Sequence, residues 1–198
     1  MEAIIKKYQQ SFRKVKEEMD RWDELQSRLI SQFTNASSII GRLQAIQNSK
    51  NYGSLNSIEG IEVAVLQKQM DSLQSILLSM KKTMEEFHCI VLSLEKIQRQ
   101  GKQLVKGGSN QPTKKQLELK IGVKPSLAGC LDGLVLLHEM HHSEYLLKSS
   151  LVFALSMLAV KPDTSDLVAL NQILVDQPNI PKEEVENIFE IIFAEEIC

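Results

Sequence analysis

IKKYQQSFRKVKEEMDRWDELQSRLISQFTNASSIIGRL (residues 5–43) repeats an apolar side chain in alternating steps of three and four. From Ile5 the series runs through Tyr8, Phe12, Val15, Met19, Trp22, Gln26, Leu29, Phe33, Ala36, Ile40 and Leu43. Only Gln26 is not apolar, and Leu25 adjoins it. An α-helix repeats every 3.6 residues, so this spacing holds one narrow stripe against a neighbouring helix over many turns. Lys6, Lys7, Arg13, Lys14, Glu17, Glu18, Asp20 and Arg21 fall on the other faces. No Pro or Gly intervenes before Gly41, which predicts a helix over 3–48, roughly 65 Å long at 1.5 Å per residue. A helix of that length needs a partner to lie against.

The partner follows in sequence. NSKNYGSLNSIEG, residues 48–60, is rich in Asn, Ser and Gly and reads as a turn. Beyond it Leu66, Met70, Leu73, Leu77, Met80, Met84, Phe87, Val91 and Leu94 repeat the rhythm, predicting a second helix over 61–106. Ile76, Ile90 and Ile97 add a flanking stripe that Thr83 interrupts, and so wide a face suits a bundle better than a two-stranded seam. The short turn predicts an antiparallel hairpin.

Residues 107–125 read as a connecting segment with Gly107-Gly108-Ser109-Asn110 and Pro112. Across 101–125, Lys102, Lys106, Lys114, Lys115, Lys120 and Lys124 face Glu118 alone, a basic run that reads more simply as solvated than as a phosphate-binding surface. Ser126 is placed to cap a third helix over 126–160, in which Leu127, Leu131, Leu134, His138, His141 and Tyr145 keep helical spacing. From Tyr145 to Val160 almost every residue is apolar apart from Lys148, Ser149, Ser150 and Ser156, so this part is expected to be covered on most sides. Lys161-Pro162-Asp163 ends it. Short helices are expected at 164–176 and 181–195, the last setting Val185, Ile188, Phe189, Ile192 and Phe193 against several glutamates. The fold class is thus all-α: an elongated bundle with a long coiled-coil-like antiparallel hairpin and a shorter helical C-terminal part, forming one domain over 1–198. Aromatic residues at 5% are too few for a β-rich fold.

A formal charge of −2 removes a strong overall attraction to nucleic acid, so direct nucleic-acid binding is not expected. Three cysteines without a CxxC pair give no disulfide framework. The amphipathic start lacks a signal-peptide core, and the longest apolar run, 151–160, is about half of the ~20 residues that span a bilayer, so no membrane partner is expected.

One motif invites a catalytic reading. His138-Glu139-Met140-His141-His142 contains His-Glu-x-x-His, which in zinc peptidases sets two imidazoles on one helical face. The continuation that supplies a third ligand wants Gly and His where this chain has Tyr145 and Lys148. A looser set, His138, His141 and His142 with Cys130 or Glu144, is the remaining metal candidate, against helix packing with local hydrogen bonds. His88 and Cys89 are adjacent and point to different sides of a helix. No phosphate loop or nucleophile elbow is present, so no enzyme activity and no cofactor are expected. The residues that stand out for partner binding or seam packing are Tyr8, Phe12, Val15, Met19, Trp22, Ile188, Phe189 and Ile192. Trp22 reads as core before it reads as an anchor.

The Trp22-centred helix closing on LQAIQN (43–48), the Leu66-Gln67-Lys68-Gln69 start, Pro125-Ser126 before a helix bearing Tyr145-Leu146-Leu147-Lys148, and the acidic-apolar end together resemble the AIRIM family of AAA+ ATPase-interacting ribosome maturation factors. The resemblance covers nearly the whole chain on motifs of low specificity, and 145–193 is also similar to the companion protein CINP. The resemblance implies a non-catalytic adaptor in nucleus and cytoplasm that binds a CINP-type helical partner and a hexameric AAA+ ATPase of the SPATA type. Its implied setting is late maturation of the large ribosomal subunit and the replication fork. Homo-oligomerisation is compatible with the same seams. The rival reading is a coiled-coil scaffold unrelated to ribosomes.

Overall fold

A computed structural model describes residues 2–106, 113–120, 125–159 and 164–194. The described residues form helices and no strand, so the chain is all-α. In order these are α1 (Glu2–Ile46), a 3-10 segment (Ser49–Ser57), α2 (Ile61–Lys106), α3 (Lys114–Glu118), α4 (Leu127–Leu158), α5 (Thr164–Asp176) and α6 (Lys182–Ile192). The Gly107–Pro112 part of the basic segment, Lys124 and the Lys161-Pro162-Asp163 stop lie outside the described residues. Within that basic segment sits α3, opened by a capping box between Thr113 and Gln116.

Two compact units are present, and α1, α2 and α4 each contribute to both. The first comprises 1–24, 87–145 and 177–198. Here α1 runs antiparallel to α2: the Tyr8 hydroxyl donates to the Gly101 carbonyl (2.7 Å), and Ser93 donates to Glu18 (2.6 Å). Ile5, Tyr8, Phe12, Val15 and Trp22 of the α1 stripe are buried in this unit, as are Phe87, Ile90, Val91, Leu94 and Ile97 of α2 and Leu127, Leu134 and Leu137 of α4. Glycine in a helix costs about 0.5–1 kcal/mol relative to alanine. At Gly101 it is needed for room, because a Cβ there would lie 2.8 Å from Leu134 Cδ1 and 3.2 Å from Tyr8 Cε1. Ser126 caps α4 by accepting from the Gly129 N–H (3.0 Å).

The second unit comprises 25–86 and 146–176. Leu25, Leu29, Phe33, Ala36, Ile40 and Leu43 of α1 are buried with Leu73, Met80 and Met84 of α2. Arg28 pairs with Glu86 at 2.8 Å and Gln32 with Ser79 at 2.8 Å, again antiparallel. Thr83, the interruption in the flanking stripe, is buried and donates to the Gln32 side chain (3.1 Å). The turn satisfies the open carbonyls of α1: Asn51 donates to Ala45 O and Tyr52 to Ile46 O, both at 2.8 Å. A kink at Gly53, with φ 52° and ψ −122°, lets the chain double back.

The apolar repeat weakens toward the start of α2. Leu66 and Leu77 are half-buried and Met70 is exposed, beside an open groove of about 430 Å³ lined by Met70, Leu73, Leu77, Leu78 and Ala159. The expectation that α4 beyond Tyr145 is covered on most sides is corrected. Leu151 and Leu155 point inward, while Leu146, Phe153 and Met157 are 51, 67 and 56% exposed. Apolar residues all round a helix state that it will be covered without stating by what, and here the chain covers one face.

Gly101→Leu should destabilise the protein by about 1–3 kcal/mol through overpacking between Tyr8 and Leu134, read by urea unfolding. Leu73→Asp should cost more, since it sets a charge in an apolar contact, and Lys82→Asp on the exposed side of the same helix should leave the midpoint nearly unchanged.

Candidate partner-binding surfaces

The stripe residues of α1 and α6 are occupied within the first unit. Tyr8, Phe12, Val15, Trp22 and Ile192 are buried, and Met19, Ile188 and Phe189 are half-buried. Phe12 meets Phe189 edge-on at 5.9 Å, and Gly133 of α4 leaves the space into which Phe12 and Ile188 fit, each 3.1 Å from where a Cβ would be. Arg13 lies over the Phe193 ring at 5.5 Å, closing the outer side of the contact. Trp22 packs edge-on against Phe87 (4.5 Å) and His141 (4.9 Å) and donates its indole N–H to Gln177 (2.9 Å).

Polar residues that the apolar pattern passes over fix the ends of the short helices. Gln9 of α1 is buried and donates to the carbonyl of Ile192, the last residue of α6 (3.2 Å). In the second unit Gln26 is buried and donates to the Leu174 carbonyl in the last turn of α5 (2.7 Å). Each thereby satisfies a carbonyl that its own helix leaves open. Gln177 takes a left-handed backbone (φ 46°), and the turn it starts is held by fully buried Glu144, which accepts from the Asn179 backbone and side chain (3.2 and 3.1 Å). The signal that marks these positions is a glutamine or glutamate inside or beside an apolar stripe.

The histidine run divides. His141 turns inward, buried, with its Nδ1–H to the Leu137 carbonyl (2.7 Å). His138 and His142, the pair of the His-Glu-x-x-His pattern, stack at 5.8 Å and 19°. Among the described residues no group of three or more His, Cys, Asp or Glu side chains is gathered as a metal site. Cys130, the sulfur proposed to join them, is buried in apolar surroundings that push its thiol up to about 12, so it stays protonated and inert as a nucleophile. Burial likewise pushes the Tyr8 phenol up, with a smaller contribution from Cys130. His88 stacks on Tyr145 at 5.3 Å, and Cys89 beside it is exposed.

Exposed apolar surface is distributed unevenly. Of the fourteen large apolar side chains exposed among the described residues, eleven belong to the second unit. They include Val63, Met70 and Leu78 of α2, Leu146, Phe153 and Met157 of α4, and Val168 and Val175 of α5. No helix among the described residues is long and apolar enough to cross a membrane.

Fold and surface together define an all-α helical-bundle protein with uncovered apolar faces concentrated in one unit. The chain belongs to the AIRIM family, since the family model described as "CA109-like: Ribosome biogenesis protein C1orf109-like" matches residues 2–197. The family's role is ribosome biogenesis. Comparison with curated proteins gives no match.

Burial, and next the His142 ring, hold His138 below the ordinary imidazole value of 6.5; Lys102 adds to this, while Glu95 and Glu139 oppose it. Between the lowered native value and 6.5 the unfolded chain binds more protons than the folded one, so stability falls as pH drops through that window. His138→Gln should flatten that part of the melting-temperature profile, and the His138 ring should titrate below 6.5 by NMR.

Proposed function

We propose that the protein is a non-catalytic adaptor subunit in ribosome biogenesis. In this reading it joins a helical companion of the CINP type to a hexameric AAA+ ATPase of the SPATA type. It acts in late maturation of the large ribosomal subunit and at replication forks, and it resides in nucleus and cytoplasm. The observation that carries the reading is the concentration of exposed apolar side chains on helices of the second unit, a surface suited to helices of other proteins rather than to a small substrate. Family membership supports the ribosomal setting over a scaffold unrelated to ribosomes. The divided histidines and the buried thiol of Cys130 favour an adaptor, with the chemical work done by the ATPase.

Native affinity purification of the tagged full chain should recover an AAA+ ATPase together with a smaller helical protein, in fixed ratio and independent of nuclease treatment. Recovery of neither, from cells in which the chain is folded and abundant, would sink the adaptor reading.

A further inference from the structure

The formal charge of −2 is spread unevenly. In the first unit the start of α1 carries Lys6, Lys7, Arg13, Lys14 and Lys16, and residues 3–16 contain no aspartate or glutamate. The end of α2 carries Lys96, Arg99, Lys102 and Lys106, and residues 96–106 contain none either. All nine basic side chains are exposed. The two stretches lie level with each other, because antiparallel packing bonds Tyr8 to Gly101 and Glu18 to Ser93. Acidic residues border this end of the unit without dividing it. Glu95 pairs with Arg99, and Glu2 and Glu17 lie beyond the two ends of the α1 stretch. The glutamate-bearing α6 meets α1 on the side of Gln9 and Phe12. Lys7 and Lys14, each two residues from one of these, are turned about 200° away from it.

Charge density narrows the choice of ligand. Residues 6–16 and 96–106 each rise about 15 Å, and together they set nine positive charges along that length. Double-helical DNA presents one phosphate charge per about 1.7 Å of axis, a matching density. An extended peptide, even with a carboxylate at every residue, presents one per about 3.3 Å. The aromatic residues of the two stretches, Tyr8 and Phe12, are fully buried, so no ring is offered for an unpaired base to stack on. No large apolar side chain is exposed in either stretch, so nothing here inserts into a lipid surface. What remains is contact with phosphates, which is how a protein holds an RNA duplex whose deep major groove is closed to side chains.

We infer that the α1–α2 end of the first unit binds the phosphate backbone of double-helical RNA, electrostatically and without reading its sequence. The choice of RNA rests on membership of a ribosome biogenesis family and not on the adaptor reading. Partners recovered independently of nuclease would leave this inference untouched, and its failure would leave them untouched.

Fluorescence anisotropy with a labelled RNA duplex of mixed sequence and the purified full chain tests it. Binding should be evident at about 50 mM salt and fall steeply as salt is raised. The quadruple variant Lys7→Gln, Lys14→Gln, Lys96→Gln and Lys102→Gln should weaken it about tenfold or more and lower the salt slope by about three to four. Its melting temperature should be unchanged, since all four side chains are exposed. A control with the same loss of charge in the second unit, Lys50→Gln, Lys68→Gln, Lys81→Gln and Lys82→Gln, should bind as the parent does. An absence of binding at low salt overturns the inference, as does binding that both variants weaken equally or that the first leaves intact. Tighter binding of single-stranded RNA, a DNA duplex, an acidic peptide or phosphatidylserine vesicles than of the RNA duplex overturns it too, giving the surface to that ligand.

Discussion

A helix in a folded protein takes most of its stability from packing its apolar face, and for the 45 residues of α1 that packing is one continuous contact: its three-four stripe is buried along most of its length. Within the first unit it packs on α2, α4 and α6, and within the second on α2 with α5. Each buried aliphatic or aromatic side chain contributes on the order of 1.5–3 kcal/mol relative to exposure, so a stripe of this length outweighs any single polar contact. The antiparallel hydrogen bonds, Tyr8 to Gly101 in one unit and Gln32 to Ser79 in the other, fix register rather than supply most of the stability.

The polar exceptions in the stripe follow from the same constraint. Helix ends leave carbonyls unpaired, and burying such an end without a donor costs about 1–3 kcal/mol. α5 and α6 end against α1, and α1 meets each with a glutamine amide, Gln26 and Gln9. An apolar residue at either place would pack equally well and leave a carbonyl without this donor. Gln26 is therefore the position at which the stripe holds α5 in place, although in the series it looks like a defect.

Both long helices were legible because their repeat is regular and their inner and outer faces differ sharply in polarity. The turn at 48–60 was legible because Asn and Gly mark it. What the sequence did not disclose has a common cause. Gln9 and Gln26 carry neither charge nor an apolar body, so spacing alone does not tell a buried amide from a wet one. α4 beyond Tyr145 is apolar on all sides, so its pattern does not say which side the chain itself will cover. The stripe candidates Tyr8, Phe12 and Trp22 pack against α2, α4 and α6 of the same chain, whereas most of the uncovered apolar residues lie outside the stripes read from the sequence, Met70 of the α2 series being an exception.

The orientation of α4 in the second unit inverts the usual rule. Lysine is mostly exposed in folded proteins, while large apolar side chains are ordinarily turned inward. Here Lys148 is enclosed and Phe153 stands two-thirds exposed, on a helix that by rotation would place them the other way round. Such a rotation would also turn Leu151 and Leu155 out, so Lys148 is carried in by its neighbours on the inner face. The inner-face leucines thus fix the helix with Lys148 enclosed, and the outer face is left free of charge as a consequence. A surface produced this way is weakly hydrated, presents no ionic selectivity, and gains free energy from whatever helix covers it. On the proposed adaptor reading, the second unit is where a partner helix docks.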